Sequence, residues 1–191
     1  MRAQFLITLS LGLLAALPAF VPPALAQPAA GPARRPAPAP AAGTANAPQT
    51  IGTFEDWTAA RYQEDGKTVC YALSRASKSA PPVPGRGEVW LTVTQRPAPA
   101  TRDSVALNAG FAYPAGADVT VTVDLTALAF FTSQRFAFAK EGPAAVAVLQ
   151  RGRLATARGP SPRNLPVEDT FSLRGFTQAY AAIAKACPPS R

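Results

Sequence analysis

The chain has 191 residues, with 19 Lys plus Arg against 11 Asp plus Glu, a formal net charge of +8, two cysteines and no histidine. The missing imidazole excludes Ser/His/Asp and Cys/His nucleophilic mechanisms and His-ligated metals. Ten arginines between Arg61 and Arg163 are scattered rather than clustered with stacking aromatics, so the charge points to anionic surfaces such as lipid headgroups, wall polymers or acidic glycans, and not to nucleic acid.

At the N-terminus, Met1-Arg2, the apolar run Phe5 to Phe20 and the small residues Ala24-Leu25-Ala26 before Gln27 form the three parts of a secretory signal over residues 1–26. Pro18, Pro22 and Pro23 interrupt the run short of the ~20 apolar residues a membrane span needs, so no transmembrane segment is expected after cleavage. No Cys follows the cleavage site, which argues against a lipid anchor. The mature chain is expected in the periplasm, at the cell surface or secreted. Loss of Arg2 leaves 18 basic against 11 acidic residues, a charge of +7. Residues 27–50 are mostly Pro, Ala and Gly; such a segment buries too little apolar surface to offset its ordering entropy and reads as a spacer. Residues 51–191 then form a single domain with one core.

Within that domain, apolar residues alternate from Val69 to Val123, the period of half-buried strands. Val89, Leu91 and Val93 share one face; Val105, Leu107, Ala109 and Phe111 share another, as do Val119, Val121 and Val123. Turn-forming clusters at Asp65-Gly66, Pro81 to Gly87, Pro97 to Pro99 and Pro114 to Gly116 separate them. Phe130, Phe131, Phe136 and Phe138 straddle Ser133-Gln134, the pattern of a hairpin whose phenylalanines meet in the core. Pro143 opens a short helix that Gly152 stops, with Ala145, Val148 and Leu149 on one side. A last helix carries Phe176, Tyr180, Ile183 and Cys187 as one stripe and ends at Pro188-Pro189. The expected fold class is mainly β: an antiparallel β-sandwich or partly open barrel with one short helix and a C-terminal helix.

The two cysteines, Cys70 and Cys187, fall in a compartment where disulfides persist, and pairing them would staple the last helix to an early strand. A thiol nucleophile or a metal pair would need a CxxC spacing or a His partner. Other chemistry is thin. Glu55-Asp56, Glu64-Asp65 and Glu168-Asp169 are adjacent acidic pairs that read as solvated strand ends and turns rather than glycosidase carboxylates. Gly85-Arg86-Gly87 reads as a turn, and Ser77-Lys78-Ser79 as an exposed loop rather than an activated Ser/Lys pair. No catalytic, cofactor-binding or metal-binding residue is assigned.

Three stretches in order, Phe54-Glu55-Asp56-Trp57, Lys67-Thr68-Val69-Cys70-Tyr71-Ala72 and Phe171-Ser172-Leu173-Arg174-Gly175-Phe176, resemble the invasion-associated locus B family of bacterial exported proteins. The resemblance spans Phe54 to Cys187. Glu55 stands where the family commonly has Gly, and the central Cys-containing segment of better-known members has no counterpart between Cys70 and Cys187. The resemblance implies a small, mostly β domain in the periplasm or on the envelope, with no established activity or cofactor. Within the motif, Trp57 and Phe176 are read as core anchors, Gly175 as the permissive residue of a tight strand-to-helix turn, and Ser172 and Leu173 as its structural neighbours. The function expected is non-enzymatic binding of an anionic envelope polymer or lipid surface, or of another exported protein, through the sheet face and basic loops. The alternatives are a carboxylate-dependent enzyme acting on cell-wall glycans and an assembly or chaperone-like factor offering a strand edge.

Overall fold

The computed structural model describes residues 47–98 and 102–189; the signal and most of the spacer, residues 1–46, lie outside the described residues. Eleven strands and two helices occur among them, in the order β1 Gln49–Phe54, β2 Trp57–Glu64, β3 Lys67–Arg75, β4 Lys78–Ala80, β5 Trp90–Gln95, β6 Ser104–Asn108, β7 Asp118–Val123, β8 Thr126–Ser133, β9 Phe136–Ala139, α1 Gly142–Arg151, β10 Leu154–Pro160, β11 Pro166–Ser172 and α2 Phe176–Ala186. All pairings are antiparallel, in the single sheet order β1-β2-β3-β5-β6-β9-β8-β7-β10-β11-β4. The sheet does not close into a barrel, and the mainly β architecture agrees with a sandwich or open barrel. Strand β1 begins at Gln49, inside the last residues of the expected spacer. Among the described residues no helix is long and apolar enough to cross a membrane.

Alternation built these strands. In β5, Leu91 and Val93 are fully buried while Trp90, Thr92 and Thr94 are half-buried on the other side. In β7, Val119, Val121 and Val123 point into the core. Helix α2 closes that inner face by burying Phe176, Ala179 and Ile183, and Cys187 just beyond it is bonded to Cys70 of β3 with a Cα–Cα separation of 5.9 Å. Helix α1 carries Pro143 as its second residue and stops at Gly152. Its buried face is Ala145, Val146 and Leu149, with Val146 taking the place expected for Val148, which is only half-buried.

Three sequence expectations need correcting. Ser77-Lys78-Ser79 is not a loop: Lys78, Ser79 and Ala80 form β4 and pair with Thr170, Asp169 and Glu168 of β11. The amide of Ala76 donates to Val89 O at 3.0 Å and that of Ser77 to Thr170 O at 2.8 Å, so the segment leaves the β5 side for β11 between two consecutive residues. Phe111 lies outside β6, because the strand ends at Asn108, whose side chain accepts from the amide of Gly110, itself at φ +73°. Finally, of the phenylalanine run only Phe130 enters the core; Phe131 is 47% exposed, and Phe136 and Phe138 are half-buried on the outer face.

Both ends of the sheet carry features that discourage another strand from joining. Strand β4 has three residues and is followed by Pro81 and Pro82, and β1 follows Pro48 and has a register shift between Thr50 and Gly52.

Candidate functional site

The motif residues of the sequence form one knot where β2, β11 and α2 meet. Trp57, fully buried, donates from Nε1 to Ser172 O at 3.0 Å and lies against the Phe176 ring with centroids 4.7 Å apart. The Ser172 hydroxyl accepts from the Arg174 amide at 3.3 Å, and Leu173, also buried, donates its amide to Arg153 O at 3.1 Å. Gly175 caps α2 at φ 85°, where a Cβ would overlap the carbonyl oxygen of Phe54. The side chains fill the space between the elements. Gly175→Ala combines left-handed backbone strain with that overlap, so it is expected to cost more than about 1 kcal/mol, read as a lower urea midpoint.

A second constellation escaped the sequence reading. Arg86, seen there as part of a turn, is buried and forms a two-pronged pair with Asp169 of β11, with Nη1–Oδ1 at 2.9 Å and Nη2–Oδ2 at 2.6 Å. Its Nε donates to Ala109 O at 2.7 Å, and its guanidinium carbon sits 4.8 Å from the centre of the Phe111 ring. Burial, and then the charge of Asp169, push the nearby Tyr113 hydroxyl well above its ordinary pKa. The arrangement holds the loop after β4 against β6 and β11, and each of the three guanidinium nitrogens donates to an internal acceptor.

Four of the six carboxylates in the adjacent acidic pairs are likewise occupied, Asp56 and Asp65 being the exceptions. Glu55 bonds Arg174, Glu64 bonds Arg96, Glu168 bonds Arg158, and Asp169 bonds Arg86. The Arg96 hydrogen bond holds the Glu64 carboxyl below the usual range, opposite to the shift a general acid requires. Among the described residues no group of three or more Cys, Asp or Glu is placed to hold a metal.

What remains open is the outer face of the central strands. Register aligns Leu73, Thr92, Ala106, Phe138, Phe131 and Asp118 across β3, β5, β6, β9, β8 and β7. The adjacent row runs Arg75, Trp90, Asn108, Phe136 and Ser133. Here the rings of Phe131 and Phe138 are 5.6 Å apart at 28°, and those of Phe136 and Phe138 are 6.0 Å apart at 36°, so the three make one apolar ridge. Thr92 and Ser133 lie in the same two rows, and Asn108 between them is buried, with its side chain accepting from the Gly110 amide. The ridge runs into an open groove of about 470 Å³ whose lining mixes Arg96, Arg102 and Lys140 with Asp103 and Glu141, beside Phe131 and Phe138. Arg96 is held by Glu64, and Arg102 donates to Cys187 O and Gln95 Oε1. Lys140 and Arg135, at the two ends of β9, are exposed and have no carboxylate partner among the described residues. A smaller concavity of about 190 Å³, walled by Pro81, Pro82, Pro84, Pro162 and Leu165, offers one cation, Arg163.

No family model and no curated protein matches the chain. Among solved structures, the crystal structure of invasion associated protein B from Bartonella henselae is similar, with a TM-score of 0.51 and 16% identity over 72% of this chain and 96% of that one. The two share a fold.

Proposed function

We propose that this chain is an exported cell-envelope protein of the invasion-associated locus B family that binds an anionic envelope component without transforming it. The family reading rests on the shared fold together with the ordered Trp57, Ser172-Leu173 and Gly175-Phe176 stretches. Export rests on the three-part signal and spacer, and the one domain is taken to begin near residue 50.

The observation that carries the binding reading is the outer face of β5, β6, β9 and β8. The inner face of the sheet is filled by the core and α2, whereas the outer one presents Trp90, Phe136, Phe138 and Phe131 to solvent in part. An uncovered apolar surface with a polar rim is the usual mark of an interaction site. Five ion pairs leave ten of the fifteen described Lys and Arg residues and six of the eleven described Asp and Glu residues outside any such pair, a surplus of four positive charges. The arginine partners of Glu55, Glu64, Glu168 and Asp169 support a role other than turnover for those four carboxylates.

Co-sedimentation of the mature protein with isolated envelope material tests this. Binding is expected to weaken several-fold between low and high salt, and again on Phe131→Ala, because screened charges and a lost ring act together. Binding that is unchanged by both would overturn the reading.

A further inference from the structure

We infer that the cleft between the loop after β4 and the loop joining β10 to β11 is a binding site for a small aromatic acid, one aromatic ring carrying one carboxylate on a short arm. The cleft lies apart from the outer face of β5, β6, β9 and β8, and neither site depends on the other.

Both walls are fixed before any ligand arrives. Pairing of β4 with β11 brings Pro81, Pro82 and Pro84 beside the β10–β11 loop. That loop is closed on itself: the Ser161 amide donates to Leu165 O at 2.8 Å, the Asn164 amide to Ser161 O at 2.9 Å, and the Leu165 amide to Ser161 Oγ at 3.1 Å. The opposite wall is held by Arg86, whose amide donates to Val83 O at 3.2 Å and whose guanidinium is fixed on Asp169 and on Ala109 O. The buried ion pair thus keeps one side of the cleft in place, and a ligand entering it meets little ordering cost.

Size and lining select the body of the ligand. The cleft has a volume of about 190 Å³, and its apolar lining is Pro81, Pro82, Pro84, Pro162, Leu165 and the buried Val167. A cavity of about 150 Å³ takes a benzene molecule, so there is room here for one ring and a short arm, and not for a diacyl lipid or a sugar chain. Proline rings present C–H groups, the complement of the electron-rich face of an aromatic ring. The pairing is that of proline-rich peptides on aromatic grooves, with the two partners exchanged.

Charge selects the acid. Arg163 is the one charged residue of the lining, is exposed, and has no carboxylate partner among the described residues. Alternation turns Glu168 to the side of β11 opposite Val167, where it lines a different groove with Arg158, its ion-pair partner, and Asp169 is held by Arg86. Ser161, only 4% exposed, also lines the cleft; its Oγ accepts from the Leu165 amide, and its hydroxyl proton has no acceptor among the described residues. A cation and a hydroxyl donor with no acid beside them suit an anion and disfavour an amine. The planar guanidinium matches the two oxygens of a carboxylate.

Titration of the isotope-labelled mature protein with phenylacetate, followed through amide NMR shifts, tests the site. Saturable shifts are expected at Val83, Arg163, Asn164 and Leu165, with a Kd on the order of 1 mM for so small a ligand. Phenylacetamide, which lacks the charge, and cyclohexylacetate, which lacks the aromatic face, are each expected to bind several-fold more weakly, and phenethylamine is expected not to bind. Arg163→Gln should lower phenylacetate affinity several-fold and leave that of phenylacetamide unchanged, whereas Leu165→Ala should weaken both. Both side chains are exposed, and an unaltered spectrum away from the cleft confirms that each variant is folded.

Phenylacetate that produces no saturable shift at these amides, or phenethylamine that binds equally well, would overturn the inference. Equal affinity for phenylacetamide would overturn it in favour of a neutral ligand, and equal affinity for cyclohexylacetate in favour of apolar acids without a preference for an aromatic ring.

Discussion

Replacing Cys70 or Cys187 by alanine is expected to remove about 4 to 5 kcal/mol of stability, because the bridge closes a loop of 117 positions that the unfolded chain must otherwise explore. On a domain of this size that is a fall in Tm on the order of 10 to 20 °C. The effect is concentrated at one place. Cys70 is fully buried in β3 between β2 and β5, and Cys187 caps the helix that covers the inner face beside Trp57 and Phe176. Reductant added to the parent protein should reproduce most of the loss, and reductant added to the alanine variant should change nothing further. Paired urea titrations with and without reductant, with thiol counting by mass spectrometry, check both. Coincident curves for the parent in the two conditions would contradict the account.

A comparable loss is expected from Asp169→Ala. Arg86 and Asp169 have side chains only 7% and 5% exposed, so removing the carboxylate leaves a guanidinium in the interior with the Ala109 carbonyl and the Phe111 ring as its remaining partners. Stranding a buried charge in this way costs about 3 to 5 kcal/mol. The double variant Arg86→Met with Asp169→Leu removes both charges and should recover much of that loss, since apolar replacement of an entire buried pair is often close to neutral. Thermal or urea unfolding of the single and double variants supplies the cycle. A single variant as stable as the parent would show that the pair carries no such weight.

Local pattern was enough to read the elements that depend on local pattern. The inward valines of β5 and β7, the Pro143 start and Gly152 stop of α1, and the Phe176-to-Ile183 stripe of α2 are set by periodicity and capping within a dozen residues. The cysteine pairing followed from compartment and count. What could not be read depends on partners far along the chain. Lys78 to Ala80 are a strand only because β11, some ninety residues later, supplies the ladder. Arg86 looked like part of a turn because its partner is 83 positions away and within a pair that resembled solvated surface. Strands β10 and β11 were missed in a stretch where Gly159, Pro160, Pro162 and Pro166 mask the alternation of Ala155, Ala157, Val167 and Phe171.

The candidate face illustrates the same division. Four phenylalanines around a turn were legible as a hairpin, and that hairpin exists. Which of them would be covered was not, because the period of two assigns sides without saying which side a curled sheet encloses. Phe130 went inward against Val119, and Phe131, Phe136 and Phe138 were left outside.

The sulfur bridge also decides how the domain would respond to being pulled. Tension applied between Gln49 and the end of the described chain runs along β1 and β2, enters β3, and at Cys70 passes through the covalent link to Cys187. Everything from Tyr71 to Ala186, including the phenylalanine ridge and both helices, lies off that line. A protein tethered at one end and gripped by a neighbour at the other would yield first in its opening strands while the rest of the fold stays unloaded.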